Sequence, residues 1–153
     1  MLKNSLLTKY GSKAFFYEIF SDKKVDDNIS KNLLISKLNE KCNGKPPSFD
    51  LTLLGLGDDG HTASLFPYQK DNNADDLVIF NEGKGLKRIS LTPKVLSASS
   101  KIIFLVSGAS KQLALKRLLD KDESQERTPS KLIKSSNQIS IFCDEESSKE
   151  LSI

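Results

Sequence analysis

One apolar run of strand length ends in a glycine-rich loop, and this junction constrains the fold more than any other feature of the chain. The run reads FDLTLLGLG, residues 49–57, and it follows the turn-forming segment GKPPS. A nearly continuous apolar run of this length is typical of a buried strand. In parallel sheets, ligands bind beyond the carboxyl ends of the strands. We therefore expect functional residues directly after Leu56.

Strand and helix patterns alternate along the rest of the chain. Helical spacing predicts an amphipathic helix over residues 26–42, a short helix starting at Thr92-Pro93 and a third helix starting at Ser110. Further strands are predicted at residues 77–80, 88–91, 101–106 and 138–143. This alternation predicts an α/β protein with a mostly parallel sheet, and we expect a single domain over residues 1–153.

Two segments near the end of the chain carry weaker patterns. Residues 120–136 are rich in charge and serine, which predicts a surface loop, and residues 144–153 are predicted to form a terminal helix. Cys42 and Cys143 form no CxxC pair, so neither a zinc site nor a disulfide framework is indicated. We expect both thiols to be reduced and half-buried.

Composition and charge argue against several classes of protein. The 153 residues are 37% hydrophobic and 28% charged, which is ordinary for a globular chain. The net charge of +3 without dense basic runs argues against a nucleic-acid partner. No apolar run approaches the roughly 20 residues that span a bilayer, and the first residues do not follow a secretory-signal pattern. We therefore expect a cytoplasmic protein that binds neither nucleic acid nor membrane.

The loop LGLGDDGHTASLFP, residues 54–67, carries the only histidine of the chain, His61. As a GxGxxG motif it would bind a dinucleotide, but its two aspartates would repel the pyrophosphate. In a second interpretation the glycines only form a tight turn and His61 merely packs. In a third, Asp59 fixes one imidazole nitrogen as a hydrogen-bond donor, so that the other can take a proton from water. That is the arrangement of a general base.

The same loop closely resembles the signature of the 6-phosphogluconolactonases, in the superfamily that includes glucosamine-6-phosphate deaminase. KRISLT (87–92), FLVSGASK (104–111) and FCDEE (142–146) resemble further family segments in the same order, so the resemblance extends from about Pro46 onward. It implies a three-layer Rossmann-like fold. It also implies hydrolysis of a small sugar-phosphate lactone, 6-phospho-D-glucono-1,5-lactone, to 6-phosphogluconate in the oxidative pentose phosphate pathway, with neither a metal nor an organic cofactor.

The resemblance also implies roles for individual residues. His61 would activate water while Asp59 orients its ring. Lys111 matches the lysine of a GxxK element that contacts the substrate phosphate, and it follows a strand end and a turn, where the N–H groups of a helix N-terminus favour an anion. The candidate substrate-binding residues are Lys111, Arg88, Gly57 and Gly60. From the geometry of such a loop, and not from the resemblance, we also expect N–H groups around Gly57 to stabilise the oxyanion.

Two alternatives to a lactonase stay open. The deaminases resemble this loop but place a glutamate five positions after the histidine, where this chain has Phe66. This difference favours the lactonase branch over a deaminase or isomerase. The second alternative is a sugar-phosphate-binding remnant with weak or no turnover.

Elements that the family resemblance leads us to expect upstream are missing from the sequence. They are a Gly-Gly-Ser/Thr phosphate loop and an Asp-Glu-Arg segment, and the opening MLKNSLLTKY is similar to the helix that follows them. We therefore expect an N-terminally truncated family domain, a poor lactonase on its own. Loss of the upstream strands would uncover a sheet edge and one helix layer, which predicts self-association.

Overall fold

The computed structural model describes residues 8–11 and 26–151. Its strands are β1 (Thr52–Gly55), β2 (Val78–Gly83), β3 (Leu86–Leu91), β4 (Ile102–Val106) and β5 (Ile139–Cys143). Its helices are α1 (Thr8–Tyr10), α2 (Asp27–Lys41), α3 (Pro93–Ser97), α4 (Gln112–Leu119) and α5 (Glu145–Ser148). Short 3-10 helices span Lys70–Asn73, Ala109–Lys111 and Pro129–Leu132. Within these ranges, no helix combines the length and the apolar character that crossing a bilayer requires.

Three strands form a parallel sheet in the order β1-β4-β5. Leu54 of β1 lies beside Phe104 of β4, which in turn lies beside Ile141 of β5. Because the strands are parallel, the loop after β1 and the turn after β4 emerge next to each other at one edge of the sheet. The predicted α/β class with a parallel sheet is confirmed.

Strands β2 and β3 form a separate antiparallel hairpin. Both lie where the apolar pattern predicts strands, but they do not join the parallel sheet. Their antiparallel pairing follows from the connection between them, which consists of Lys84 and Gly85, both with positive φ. A two-residue turn of this kind joins antiparallel neighbours, whereas parallel strands need a long crossover.

The core lies on one face of the parallel sheet. Its buried side chains include Leu54, Ile102 and Phe104 from the strands and Leu115 from α4. Side chains alternate between the two faces of a strand, and on the other face Leu53, Leu105 and Phe142 are between 52% and 61% exposed. This agrees with the expectation of an uncovered layer, while self-association stays a prediction.

Helix α2 begins where the sequence predicts, but its apolar stripe is only partly covered. The Asp26 carboxylate accepts the Asn28 N–H at 2.7 Å, which caps the first turn. Leu38 is buried, whereas Ile29 and Leu33 are more than half exposed. Leu34, Leu38 and the hairpin line an apolar groove of about 410 Å³ that contains none of the predicted site residues.

The prediction of a surface loop over residues 120–136 is only partly correct, because residues 120–122 and 124–127 are exposed but the same segment also carries buried residues. Thr128 and Ser130 are fully buried, and Ile133 belongs to the core. The charged composition is misleading because the Glu123 carboxylate is itself buried and paired with Arg127. A buried charge is tolerated when it is paired and hydrogen-bonded.

The remaining boundaries differ from prediction in smaller ways. The α-helix expected from Ser110 begins at Gln112, because residues 109–111 form a 3-10 turn. The predicted terminal helix is reduced to α5, and residues 152–153 lie outside the described range. Cys42 is half-buried as expected, but Cys143 at the end of the β5 edge strand is exposed.

The buried Glu123 carboxylate predicts a specific loss of stability in acid. The hydrogen bond from Arg127 leads the interactions that lower the pKa of Glu123 to about 2. A lowered folded-state pKa stabilises the fold above the unfolded value near 4.3, and this contribution disappears as the pH falls from about 5 to about 2. Denaturant unfolding at several pH values should show Glu123→Gln to be less stable at pH 7 by about 1–3 kcal/mol. The free energies of unfolding of the two proteins should become nearly equal near pH 2. An equal difference between them at every pH would contradict this account.

Candidate active site

The loop after β1 closes on itself through backbone hydrogen bonds. The Gly57 N–H donates to the His61 carbonyl at 2.8 Å, and the Gly60 N–H donates to the Gly57 carbonyl at 3.0 Å. Gly60 has a φ of +90°, a conformation that glycine adopts without strain. The Thr62 hydroxyl donates to the Gly55 carbonyl at 2.8 Å and ties the loop back to its strand. This closed turn holds His61 just beyond the carboxyl end of β1.

Asp59 and His61 lie in direct contact. His61 Nδ1 is 2.6 Å from Asp59 Oδ1, and the same oxygen accepts the His61 backbone N–H at 3.0 Å. An ionised carboxylate only accepts hydrogen bonds, so in the neutral imidazole Nδ1 carries the proton and Nε2 has the lone pair. Partial burial acts to raise the pKa of Asp59, but the hydrogen bonds from His61 outweigh it and lower that pKa below its usual value. The carboxylate is therefore ionised at neutral pH.

Gly57 leaves the space that the imidazole occupies. A Cβ atom at this position would lie 2.0 Å from His61 Nδ1 and 2.7 Å from Asp59 Oδ1. Because the Gly57 N–H already donates to the His61 carbonyl, this group is not available as the expected oxyanion donor. Gly60 belongs to the same loop and faces Thr128, where a Cβ would be 3.0 Å from the Thr128 methyl. Both glycines thus shape the loop, and their substrate-binding roles stay predictions.

An open cleft of about 330 Å³ lies beside His61. It is lined by Gly55, Leu56, Gly57, His61, Thr62, Ala63 and Lys111. Lys111 comes from the turn after β4, 50 positions along the chain from His61, and the parallel pairing of β1 with β4 brings them together. The structure therefore joins the predicted base and the predicted phosphate-binding cation in one cleft.

The turn after β4 already holds a carboxylate. Asp144, at the end of β5, accepts the Ser107 hydroxyl at 2.6 Å and the Gly108 N–H at 2.9 Å. It also accepts the Ser147 N–H at 2.9 Å and so caps α5. These hydrogen bonds, led by that from Ser107, hold the pKa of Asp144 well below its usual range. The Gly108 N–H is therefore occupied by Asp144, while phosphate binding by the helix N-terminus and by Lys111 stays a prediction.

Arg88 lies on β3 and is not among the residues that line this cleft. It is half-buried and pairs across the hairpin with Asn81, so the two side chains share one face. Its Nε is buried and has no hydrogen-bond partner among the residues that the structure describes. The structure thus leaves the predicted substrate contact of Arg88 without direct support.

Sequence reasoning missed the residues that support the loop from the hairpin side. The Phe66 ring lies 4.6 Å from the His61 ring, tilted by 34°. A Cβ at Gly83 would lie 2.2 Å from the Phe66 ring, so this strand glycine makes room for the aromatic side chain. The Asn81 amide donates to the Ser64 carbonyl at 2.7 Å. Gly83 lies beyond the strand predicted over residues 77–80, so the sequence pattern gave no signal for this contact.

The described residues contain no group of three or more His, Cys, Asp and Glu side chains arranged to hold a metal ion. The polar chemistry of the cleft thus comes from one imidazole, its carboxylate partner and one ammonium group. A histidine with one free nitrogen can act as a general base toward water. An ammonium group can bind an anionic substituent of the substrate.

Comparison with known proteins identifies the family. The model of the glucosamine-6-phosphate isomerases/6-phosphogluconolactonase family matches residues 1–141. The chain belongs to this family. A 6-phosphogluconolactonase of Synechocystis sp. is 36% identical over 109 residues, which cover 71% of this chain and 45% of that relative. The 6-phosphogluconolactonase-like protein 1 of Saccharomyces cerevisiae is 32% identical over 94% of this chain and 47% of its own length.

Solved structures of the glucosamine-6-phosphate isomerase/6-phosphogluconolactonase family agree with this assignment. A 6-phosphogluconolactonase from Thermotoga maritima superposes with a TM-score of 0.68 at 26% identity, covering 80% of this chain and 53% of that chain. The resemblance to the lactonases inferred from residues 54–67 is confirmed. The chain spans about half the length of the curated relatives it matches.

Proposed function

We propose that this site hydrolyses 6-phospho-D-glucono-1,5-lactone to 6-phosphogluconate. The observation that carries the proposal is the Asp59–His61 pair, whose histidine lines the same cleft as Lys111. Nε2 would take a proton from water as the water oxygen attacks the lactone carbonyl. The ring C–O bond then breaks, the imidazolium returns its proton to the leaving hydroxyl, and the new carboxyl group ionises. Asp59 stabilises the transient imidazolium.

The residue at position 66 favours hydrolysis over deamination. Deaminases of the superfamily resemble this loop but carry a glutamate here, whereas Phe66 is buried and lies against the His61 ring. A phenyl ring cannot accept or donate a proton, so the transfers required by a deaminase or isomerase lack their group. The test is product analysis with the lactone and with glucosamine 6-phosphate. Acid release from the lactone without ammonia from the amino sugar is expected, and ammonia release would support the deaminase.

The length of the chain calls for a second experiment, in which the missing part of the family domain is supplied. Since it spans about half of its curated relatives, we propose that further substrate contacts come from the part of the family domain that it does not span. Supplying the upstream half of a related lactonase in trans should then raise kcat/KM at least about tenfold. Binding of 6-phosphogluconate without turnover in either arm would identify a binding remnant. A cytoplasmic location and the single-domain organisation stay predictions from the sequence.

Lys111 gives a prediction about binding. Replacing it with alanine should weaken the binding of 6-phosphogluconate by about 1–3 kcal/mol, because one charge-assisted contact to the phosphate is lost. Isothermal titration calorimetry measures the dissociation constant. Lys116→Ala is the matched control, since Lys116 lies on α4 and its side chain is exposed. Equal effects of Lys111→Ala and Lys116→Ala on the dissociation constant would show that the phosphate binds elsewhere.

A further inference from the structure

Residues 123–130 pack directly behind the loop that carries Asp59 and His61. Gly60, which lies between these two residues, is buried, and its carbonyl accepts the Ser130 N–H at 3.1 Å. A Cβ at Gly60 would lie 3.0 Å from Thr128 Cγ2 and 3.2 Å from Thr128 Cα. The backbone between the proposed base and its carboxylate partner therefore rests against Thr128.

Thr128 is held in turn by Glu123. The Glu123 carboxylate, 3% exposed, accepts the Thr128 hydroxyl at 2.6 Å and the Arg127 Nε–H at 2.7 Å. The Thr128 N–H donates to the Ser124 carbonyl at 2.9 Å, which closes the turn. A β-branched side chain has few favourable rotamers, and the hydroxyl bond selects one of them. The remaining γ-methyl group faces Gly60.

The same segment also contacts the far end of the loop. The Glu126 carbonyl accepts the Tyr68 N–H at 2.8 Å, so residues 123–130 hold the loop at both Gly60 and Tyr68. The side-chain partners of the Glu123 carboxylate, Arg127 and Thr128, lie within five residues of it in sequence. The buried carboxylate therefore stabilises the turn formed by its neighbours in sequence. Thr128 and Ser130 of this turn contact Gly60.

We infer that Glu123 and Thr128 are positioning residues that fix the His61 imidazole against Asp59. The inference rests on the proposed function for the role of His61 as a base. The orientation of the ring can be measured without turnover, because His61 is the only histidine of the chain. If the ring is held by Asp59, the neutral imidazole carries its proton on Nδ1, and a loosened loop shifts the population toward the Nε2 tautomer.

The experiment uses the full 153-residue chain labelled with ¹⁵N-histidine. The shifts of the two ring nitrogens at neutral pH give the fraction of the Nδ1-protonated tautomer. Glu123→Ala should lower this fraction and reduce kcat at least about tenfold, with KM changed less than about twofold. Glu123→Gln should keep most of the Nδ1-protonated fraction and most of kcat, since its amide oxygen still accepts the Thr128 hydroxyl. Asp75→Ala, which breaks an exposed ion pair with Lys94, is the control and should leave the tautomer unchanged.

Each outcome decides the inference. A folded Glu123→Ala variant with unchanged ring shifts would overturn it. If Glu123→Ala does not fold, Thr128→Ser decides instead, because it keeps the hydroxyl bond and removes only the methyl against Gly60. Lowered Nδ1 protonation in Thr128→Ser supports the inference, and unchanged shifts overturn it. If the unsubstituted chain shows no turnover even when it is supplied with the upstream half of a related lactonase, the tautomer measurement still applies, and only the proposed function fails.

Discussion

Asparagine in place of His61 is expected to lower kcat/KM for lactone hydrolysis by about 10²–10⁴-fold, the contribution of a positioned general base. The amide can still fill the space beside Asp59, but it has no basic nitrogen to accept a proton from water. His61 is only partly buried, so the melting temperature should change little. The assay couples phosphogluconate formation to its dehydrogenase, with the spontaneous hydrolysis rate subtracted.

The control for this change is Asp58→Asn. Asp58 neighbours the pair in sequence, but its side chain is exposed and lies 3.8 Å from Lys84 rather than against His61. The Asp58→Asn variant should retain most of the lactonase activity. Turnover at the unsubstituted rate in a folded His61→Asn protein would exclude His61 as the base and would leave the cleft without a proton acceptor of suitable basicity.

Alanine at Gly57 is expected to cost about 10²-fold in kcat/KM, although it removes no functional group. The new methyl would lie 2.0 Å from His61 Nδ1, well inside van der Waals contact, so the imidazole must move away from Asp59. A displacement of about 1 Å at the reacting group is enough for a loss of this size. The ring ¹⁵N shifts of His61 should report the same displacement.

Gly55→Ala provides the comparison from the end of the preceding strand, β1. A Cβ at Gly55 has nothing within 4 Å, so this change should leave the melting temperature and the His61 tautomer as they are. If Gly57→Ala and Gly55→Ala proved equal in tautomer and in melting temperature, close packing of Gly57 on the imidazole would not explain the site.

The parts of the site that the sequence predicts are those held by local interactions. Asp59 and His61 are two positions apart, and the glycines around them leave few ways to place the ring. A mostly parallel sheet follows from the alternation of strands and helices, and within it the pairing of β1 with β4 accounts for the meeting of His61 with Lys111. Short-range patterns therefore yielded the pair and the cleft.

The parts that the sequence did not predict depend on contacts between distant segments. Gly108 and Asp144 are 36 positions apart, and no periodicity indicates that a carboxylate from β5 reaches the turn after β4. Thr128 meets Gly60 from a segment whose charged composition resembles a solvated loop. Such contacts are selected by complementary shape and by hydrogen-bond partners, neither of which a linear pattern records.

The carboxylate in the turn after β4 also determines how the protein responds to free anions. Asp144 is tethered to its N–H and hydroxyl partners, and an intramolecular ligand acts at an effective concentration far above that of a buffer anion. Its strongly lowered pKa means that neutral or mildly acidic solution does not release it by protonation. Sulfate or inorganic phosphate therefore competes poorly for the Ser107 hydroxyl and the Gly108 N–H. Inhibition by such anions would report the ammonium group of Lys111 in the cleft instead.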